Sequence, residues 1–258
     1  MLLSIVTATY NRVGLLKKNY LFLRSKKKHF KFEWIIVYEK KDKKTKKFLK
    51  TIKDDFIKKI ESDQNNADFA YNLGFKHAKG KYLNIHGDDD FFHKANFKKL
   101  KNILNSDKVW IICQSEYLDN NFKKIRGTTT KIKKYLLRNY NSKILTLINF
   151  IMTPSIFFKK NKVKLAGGYN DKIKYGSDYI FWLNFNKLYK PLIINELISY
   201  VRFDSKTKTG TFDLKRYIIF IKEMKKFSPN IFYRFLQFQI ILTIVLINFI
   251  LKKILRIY

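Results

Sequence analysis

Ser4-Ile5-Val6-Thr7-Ala8-Thr9-Tyr10-Asn11-Arg12 is the stretch whose reading decides the fold. From Leu2 to Thr7 the chain is a continuous apolar, β-branched run with no polar alternation, which is how a strand buried on both faces of a parallel sheet reads. Tyr10-Asn11-Arg12 ends that strand, and Val13 to Leu23 carries helical apolar spacing. Working outward, the sequence predicts a second buried strand at Trp34-Ile35-Ile36-Val37 and a lysine-rich helix from Thr45 to Ile60. A helix from Ala67 to Lys79 follows, with Gly80 placed to terminate it. Lys81 to Ile85 and Val109 to Cys113 read as a third and a fourth strand. Strands alternating with helices at this spacing indicate a parallel α/β sheet, Rossmann-like and flanked by helices. Ligands of such sheets bind beyond the carboxyl ends of the strands. That rule puts Thr9, Glu39 and Gly87-Asp88-Asp89-Asp90 on one rim.

The second half is less regular. Asn121 to Lys134 is polar and basic and reads as a loop, Ile144 to Phe158 is apolar around Pro154, and Gly167-Gly168-Tyr169-Asn170 forms a turn. Beyond Arg202, Asp204-Ser205-Lys206-Thr207-Lys208-Thr209-Gly210 reads as a linker. The 258 residues are therefore expected to divide into a domain at 1–205 and a basic, aromatic helical extension at 206–258. From Phe235 to Leu251 no residue is charged, at the short edge of the roughly 20 apolar residues that a spanning helix needs. Lys252, Lys253 and Arg256 follow it, and Phe232, Tyr233 and Tyr258 lie at its two ends. This segment suits a buried core or dimerisation helix, or a helix lying in a membrane whose anionic headgroups attract the basic flanks; the second is the preferred reading.

The net charge of +34 comes mainly from lysine and calls for an anionic partner. The lysines are dispersed and accompany no recognised nucleic-acid motif, so nucleic acid is not expected. The single cysteine, Cys113, excludes an intramolecular disulfide and suits a reducing compartment. The N-terminus lacks a basic region ahead of its apolar residues, so no cleavable signal peptide is expected.

Three consecutive aspartates, Asp88 to Asp90, repel one another unless a cation or hydrogen-bond donors lie between them. Their oxygens suit Mg²⁺ or Mn²⁺, which can bind phosphate oxygens at the same time. Equally, they could form a turn and cap a helix beginning near Phe92. Asp178 opens the apolar Tyr179-Ile180-Phe181-Trp182-Leu183, where it could cap its own helix or, across a cleft from a metal, serve as general base. Trp182 reads as core, His86 and His93 as structural, and the lysine runs at 26–28 and 40–47 as solvated faces.

The order of these segments, over roughly residues 2 to 205, resembles the inverting glycosyltransferases of family 2, which have the GT-A fold. Ser4 to Arg12 is similar to the family's first strand and nucleotide loop, which implies Thr7, Ala8, Thr9 and Tyr10 as nucleotide-binding. Glu33-Trp34-Ile35-Ile36-Val37-Tyr38-Glu39 looks like the strand leading to an acidic pair near the base, with Glu39 implied there. Ala70-Tyr71-Asn72-Leu73-Gly74 and Ala78-Lys79-Gly80-Lys81-Tyr82-Leu83 resemble the helix and strand before the metal motif, with Asn72 implied beside the nucleotide. Gly87-Asp88-Asp89-Asp90 stands at that motif, implying Asp89 as metal ligand and Asp88 near the ribose. Gly167-Gly168-Tyr169-Asn170 and Ser177-Asp178-Tyr179 resemble the acceptor-side segment, implying Asp178 as catalytic base.

The chain departs from the family pattern at Ala8, Tyr38, Tyr71, Gly87 and Ser177, where proline, aspartate, arginine, aspartate and glutamate are frequent. The resemblance implies a Mg²⁺- or Mn²⁺-dependent inverting transfer from a nucleotide-diphosphate sugar, a UDP-sugar for preference, to a lipid-linked or surface-polysaccharide hydroxyl. It implies a bacterial enzyme in the cytoplasm, peripheral on the inner face of the membrane. The rival expectation is an inactive membrane-bound or polyanion-binding protein with a degenerate cleft.

Overall fold

The computed structural model describes residues 1–125, 127–173, 176–203, 214–227, 230–240 and 243. The expected linker at 204–210 lies outside the described residues, as does the apolar run 235–251 beyond 240 except residue 243. Among the described residues no helix is long and apolar enough to cross a membrane.

The first half follows the expected alternation: β1 (Leu3–Thr9), α1 (Val13–Lys26), β2 (Phe32–Glu39), α2 (Lys43–Thr51), β3 (Ile57–Ser62), α3 (Ala67–His77) and β4 (Tyr82–Ile85). Then come β5 (Phe91–Phe92), α4 (Leu100–Leu104), β6 (Trp110–Leu118), α5 (Thr128–Arg138), α6 (Ser142–Leu147), β7 (Ile156–Lys159), α7 (Lys160–Val163), α8 (Ser177–Leu188), β8 (Leu192–Arg202) and α9 (Leu214–Met224). One eight-stranded sheet runs β3-β2-β1-β4-β7-β6-β8-β5. Its β3-β2-β1-β4 half is parallel. Beyond it β7 runs antiparallel to both β4 and β6, so the sheet is mixed rather than wholly parallel.

Side chains of β1 and β2 alternate between two cores. Val6, Ile35 and Val37 join Phe158, Phe181 and Trp182 on one face, whereas Leu3, Ile5, Trp34 and Ile36 join Phe97, Leu100 and Leu104 on the other. Both faces are covered, which is why the sequence reads as an unbroken apolar run. A Cβ on Gly74 of α3 would lie 2.3 Å from Val6 Cγ1, so α3 approaches β1 as closely as a missing side chain allows.

Four sequence expectations need correction. The helix expected from Thr45 to Ile60 ends at Thr51, and Ile57–Ser62 is instead edge strand β3, pairing in parallel with β2; lysines 58 and 59 suit an exposed edge. The loop expected at 121–134 becomes helical from Thr128, where Thr130 and Leu137 are buried. No helix begins near Phe92: Phe91–Phe92 is a short strand paired with β8, so the aspartates do not cap one. Asp178 does not cap α8 either, because the cap position is Gly176, whose φ of +70° is left-handed backbone that glycine adopts at little cost.

The described part of the C-terminal extension packs on the rest of the chain. Phe220 and Met224 of α9 are buried in the core that contains Tyr179. Tyr233 Oη lies 2.7 Å from Thr146 Oγ1, and Gln237 Nε2 donates to the Thr146 carbonyl at 2.7 Å.

Candidate functional site

The carboxyl ends of β1 and β2 open into a cleft of about 460 Å³. Its walls include Ala8, Thr9, Tyr10 and Arg12 from the first-strand loop, Tyr38 and Glu39 from β2, Tyr71 from α3, the turn from Gly87 to Asp90, and Arg202 at the end of β8.

The first-strand loop is turned by Asn11, which has a φ of +56°. Such backbone is uncommon for a residue with a side chain, but asparagine tolerates it best. Its N–H donates to Asp42 Oδ2 at 2.6 Å, and Asp42 also caps α2 by accepting from the Thr45 N–H at 3.0 Å. The next residue, Arg12, reaches the acidic turn. Its Nη1 lies 3.0 Å from Asp88 Oδ1 and 2.7 Å from Asp89 Oδ2.

The acidic turn is closed by the Asp90 N–H donating to the Gly87 carbonyl at 3.2 Å. Asn19 of α1 fastens it from below, with Nδ2 donating to the carbonyls of Asp88 at 3.1 Å and Asp90 at 3.0 Å. Thr9 Oγ1 donates to Asp88 Oδ2 at 2.8 Å. Burial, and then the neighbouring Asp89 charge, push the Asp88 carboxyl up to about 6, against the pull of Arg12 and Thr9. Burial and Asp89 likewise raise Asp90 well above the ordinary carboxylate range. His86 stacks on Phe92 at 4.0 Å, and its Nε2–H donates to the Asp90 carbonyl at 3.0 Å. Burial lowers its pKa to about 3.

On the β2 side, Tyr38 Oη donates to Glu61 Oε1 at 2.9 Å, and burial raises that phenol to about 12. Glu39 projects a buried Oε2 that has no hydrogen-bond partner among the described residues. A buried carboxylate oxygen left unpaired is costly, and in a cleft wall it is an acceptor awaiting a donor.

Asp178 lies in the first turn of α8, where Thr153 Oγ1 donates to its Oδ2 at 3.2 Å and the Tyr179 N–H to its Oδ1 at 2.7 Å. Burial raises its pKa against the opposing effects of these bonds and of Lys133. Asp178 is not a wall residue of the cleft. It connects to it through two phenols, since the Tyr169 ring lies 5.4 Å from that of cleft residue Tyr71. Burial raises both phenols well above their usual value, helped at Tyr169 by Asp178 and at Tyr71 by Asp90 and Asp88.

Of the residues singled out in the sequence, Ala8, Thr9, Tyr10, Glu39, Asp88 and Asp89 line the cleft together. Thr7 and Asn72 stand behind its walls: Thr7 Oγ1 accepts from Trp34 Nε1 at 2.9 Å, and both ends of the Asn72 amide engage the Tyr169 backbone. Arg12, Tyr38, Tyr71 and Arg202 are further wall residues that the sequence reading assigned no site role. In so basic a chain one more cation carries no signal, and Arg202 comes to the cleft only through the pairing of β8 beside β5.

Among the described residues, no group of three or more His, Cys, Asp or Glu side chains is arranged to hold a metal ion by itself. Asp88 and Asp89 nevertheless aim oxygens at a single cationic point, the Arg12 Nη1. Two hard carboxylates suit Mg²⁺ or Mn²⁺ when substrate phosphates and water complete the shell.

The family profile described as glycosyl transferase family 2 matches residues 4–164. Uncharacterised glycosyltransferases of Rickettsia typhi and Rickettsia prowazekii are each 24% identical over 151 residues, covering 55% of this chain and 46% of theirs. The chain thus spans about half the length of these curated relatives. The crystal structure of S. aureus TarS 1–349 in complex with UDP-GlcNAc superposes with a TM-score of 0.68 at 13% identity, over 93% of this chain and 70% of that one. The UDP complex of the same protein gives a TM-score of 0.64 at 13% identity, over 87% and 64%. These likenesses show the fold, a mixed α/β sheet flanked by helices as in GT-A structures.

Proposed function

The chain belongs to glycosyl transferase family 2, and from that premise we propose that it transfers a sugar from a nucleotide-diphosphate donor, a UDP-sugar for preference, to an acceptor hydroxyl with inversion at the anomeric carbon. The observation that carries this reading is the convergence of the first-strand loop, Glu39 and the acidic turn on one cleft. The TarS structures with UDP and UDP-GlcNAc support the choice of donor.

In this reading Asp89, assisted by Asp88, holds Mg²⁺ or Mn²⁺. An ion held there would supply charge compensation for the leaving diphosphate. Glu39 accepts a hydrogen bond from the base, while Thr9 keeps Asp88 oriented through its 2.8 Å bond. The acceptor oxygen bonds to the anomeric carbon as the bond from that carbon to the diphosphate breaks, the electron pair leaving with the diphosphate. Asp178 takes the acceptor proton.

The acceptor is a lipid-linked or surface-polysaccharide intermediate, and the enzyme works at the cytoplasmic face of a bacterial membrane. Supporting this, Ile231, Phe232 and Phe235 are 83%, 70% and 60% exposed next to Lys225, Lys226 and Arg234 in a chain of net charge +34. Co-sedimentation with anionic but not zwitterionic vesicles tests the membrane part.

The deciding experiment is calorimetric titration with UDP, and with GDP for comparison, in the presence and absence of Mn²⁺, repeated on Asp89→Ala. Mn²⁺-dependent UDP binding that Asp89→Ala abolishes supports the donor site. No binding of either nucleotide to folded protein removes it.

A further inference from the structure

Arg12 stands where the proposed donor site would place its positive charge. A single nitrogen, Nη1, is bonded to carboxylates of both Asp88 and Asp89, at 3.0 and 2.7 Å. Two negative groups so close need a cation between them, and here the protein supplies its own. An arginine cannot give up its proton in a protein, so the charge can leave this point only if the side chain moves.

The surroundings permit that movement. The side chain of Arg12 is 40% exposed and lines the cleft, whereas the Asp88 carboxylate is held from behind by Thr9 and the turn backbone by Asn19, at the Asp88 and Asp90 carbonyls. Its backbone is anchored independently: the Arg12 carbonyl accepts from the N–H groups of Leu15 and Leu16, each at 3.1 Å, and the preceding Asn11 N–H is held by Asp42. The Asp88 carboxylate and the turn that carries Asp89 are therefore braced without Arg12, and the guanidinium is an exposed counter-ion on an anchored backbone. A planar guanidinium also matches phosphate oxygens better than an ammonium would.

Resting on the metal-dependent donor reading above, we infer that Arg12 is a donor-site residue that exchanges partners. While no donor is present it neutralises Asp88 and Asp89 and keeps free divalent ions out; when the nucleotide diphosphate and ion enter together, it passes to an oxygen of the diphosphate. A divalent ion and a guanidinium cannot share the same two oxygens at van der Waals distance. Ion and nucleotide should consequently bind as a coupled pair, each weak without the other.

The test is titration of Mn²⁺, followed by calorimetry and by the paramagnetic resonance signal of the free ion, into wild-type protein and Arg12→Gln. Both proteins are titrated with and without UDP, after thermal melts have established that both are folded. The expected result is that Arg12→Gln binds Mn²⁺ about tenfold or more tightly without nucleotide, because a charge-assisted competitor has gone, and binds UDP more weakly in saturating Mn²⁺. Arg12→Lys should restore exclusion of free Mn²⁺ but not the full UDP affinity.

If wild-type protein binds Mn²⁺ with UDP and Arg12→Gln behaves identically, or loses Mn²⁺ affinity in both conditions, Arg12 merely braces the turn and the exchange is overturned while the donor reading stands. If UDP draws no Mn²⁺ onto wild-type protein, the metal-dependent reading fails and this inference with it.

Discussion

Asn72 and Tyr169 are joined through both ends of one amide. Asn72 Nδ2 donates to the Tyr169 carbonyl at 2.7 Å, and Asn72 Oδ1 accepts from the Tyr169 N–H at 2.9 Å. The bonds cross 97 residues of sequence and tie helix α3, beside the cleft, to the turn that leads towards Asp178. Gly168 shares the arrangement: its φ is +65°, and a Cβ there would lie 2.9 Å from Asn72 Oδ1. Asn72→Ala should destabilise the fold by about 2–3 kcal/mol, since two part-buried backbone groups lose their partners. Gly168→Ala should also lower the melting temperature, through strained backbone and the displaced amide. Unchanged melting of either variant would show that the clamp carries no load.

Asp42 makes a similar connection near the cleft. It caps α2 and holds the N–H of Asn11, so its loss removes a helix cap and the restraint on a left-handed residue together. Asp42→Ala should cost about 2–3 kcal/mol. Burial opposes the Asp42 charge, but the bonds from Thr45 and Asn11 outweigh it and lower its pKa below the usual value. A lowered native pKa means stability that is complete above the unfolded-state value and lost as pH falls through the native one. The gap in melting temperature between wild type and Asp42→Ala should therefore be constant around neutrality and narrow in acid.

Much of this architecture was legible in the sequence because burial on both faces leaves an unmistakable run. The strands at 3–9, 32–39 and 82–85 and the rim they create were readable, and so was the acidic turn beyond the third. Ile57–Ser62 was not, because an edge strand with lysines at 58 and 59 looks like the continuation of a basic helix. Antiparallel β7 was hidden as well: its direction depends on pairing with β4 and β6, which no local pattern encodes. The same holds within the site. Glu39 and Asp88 follow from strand ends, whereas the pairing of Arg12 with the aspartates spans more than 70 residues and appears only in three dimensions.

Glu39 offers a prediction that separates binding from stability. Its Oε2 is buried without a partner among the described residues, so that oxygen adds no hydrogen bond to the stability of the fold. Glu39→Gln should melt no lower than wild type, while its affinity for UDP in the presence of Mn²⁺ falls about tenfold or more, as expected when a charged acceptor is replaced. Calorimetry and a thermal melt on the same sample decide it. Undiminished UDP affinity would remove Glu39 from base recognition.

Asp178 can be tested through activity and stability moving in opposite directions. Its carboxyl faces Thr153, the Tyr179 N–H, the buried phenol of Tyr169 and, more distantly, Lys133. Burial nevertheless raises its pKa above the usual 3.8. A raised native pKa means that the ionised form costs folding energy at neutral pH, a cost that disappears as pH falls through the native value. Asp178→Asn should consequently raise the melting temperature at neutral pH, by an increment that shrinks on acidification. The proposed transfer needs the ionised base, so the wild-type rate should fall as pH drops through that same raised value. The variant should lose about 10²–10⁴ in turnover at neutral pH, a deficit that narrows as acid protonates the wild-type base. A structural aspartate would show the reverse, with a lower melting temperature and activity lost only with the fold. Full turnover by a stabilised Asp178→Asn protein would take Asp178 out of the chemistry and direct attention to the cleft carboxylates.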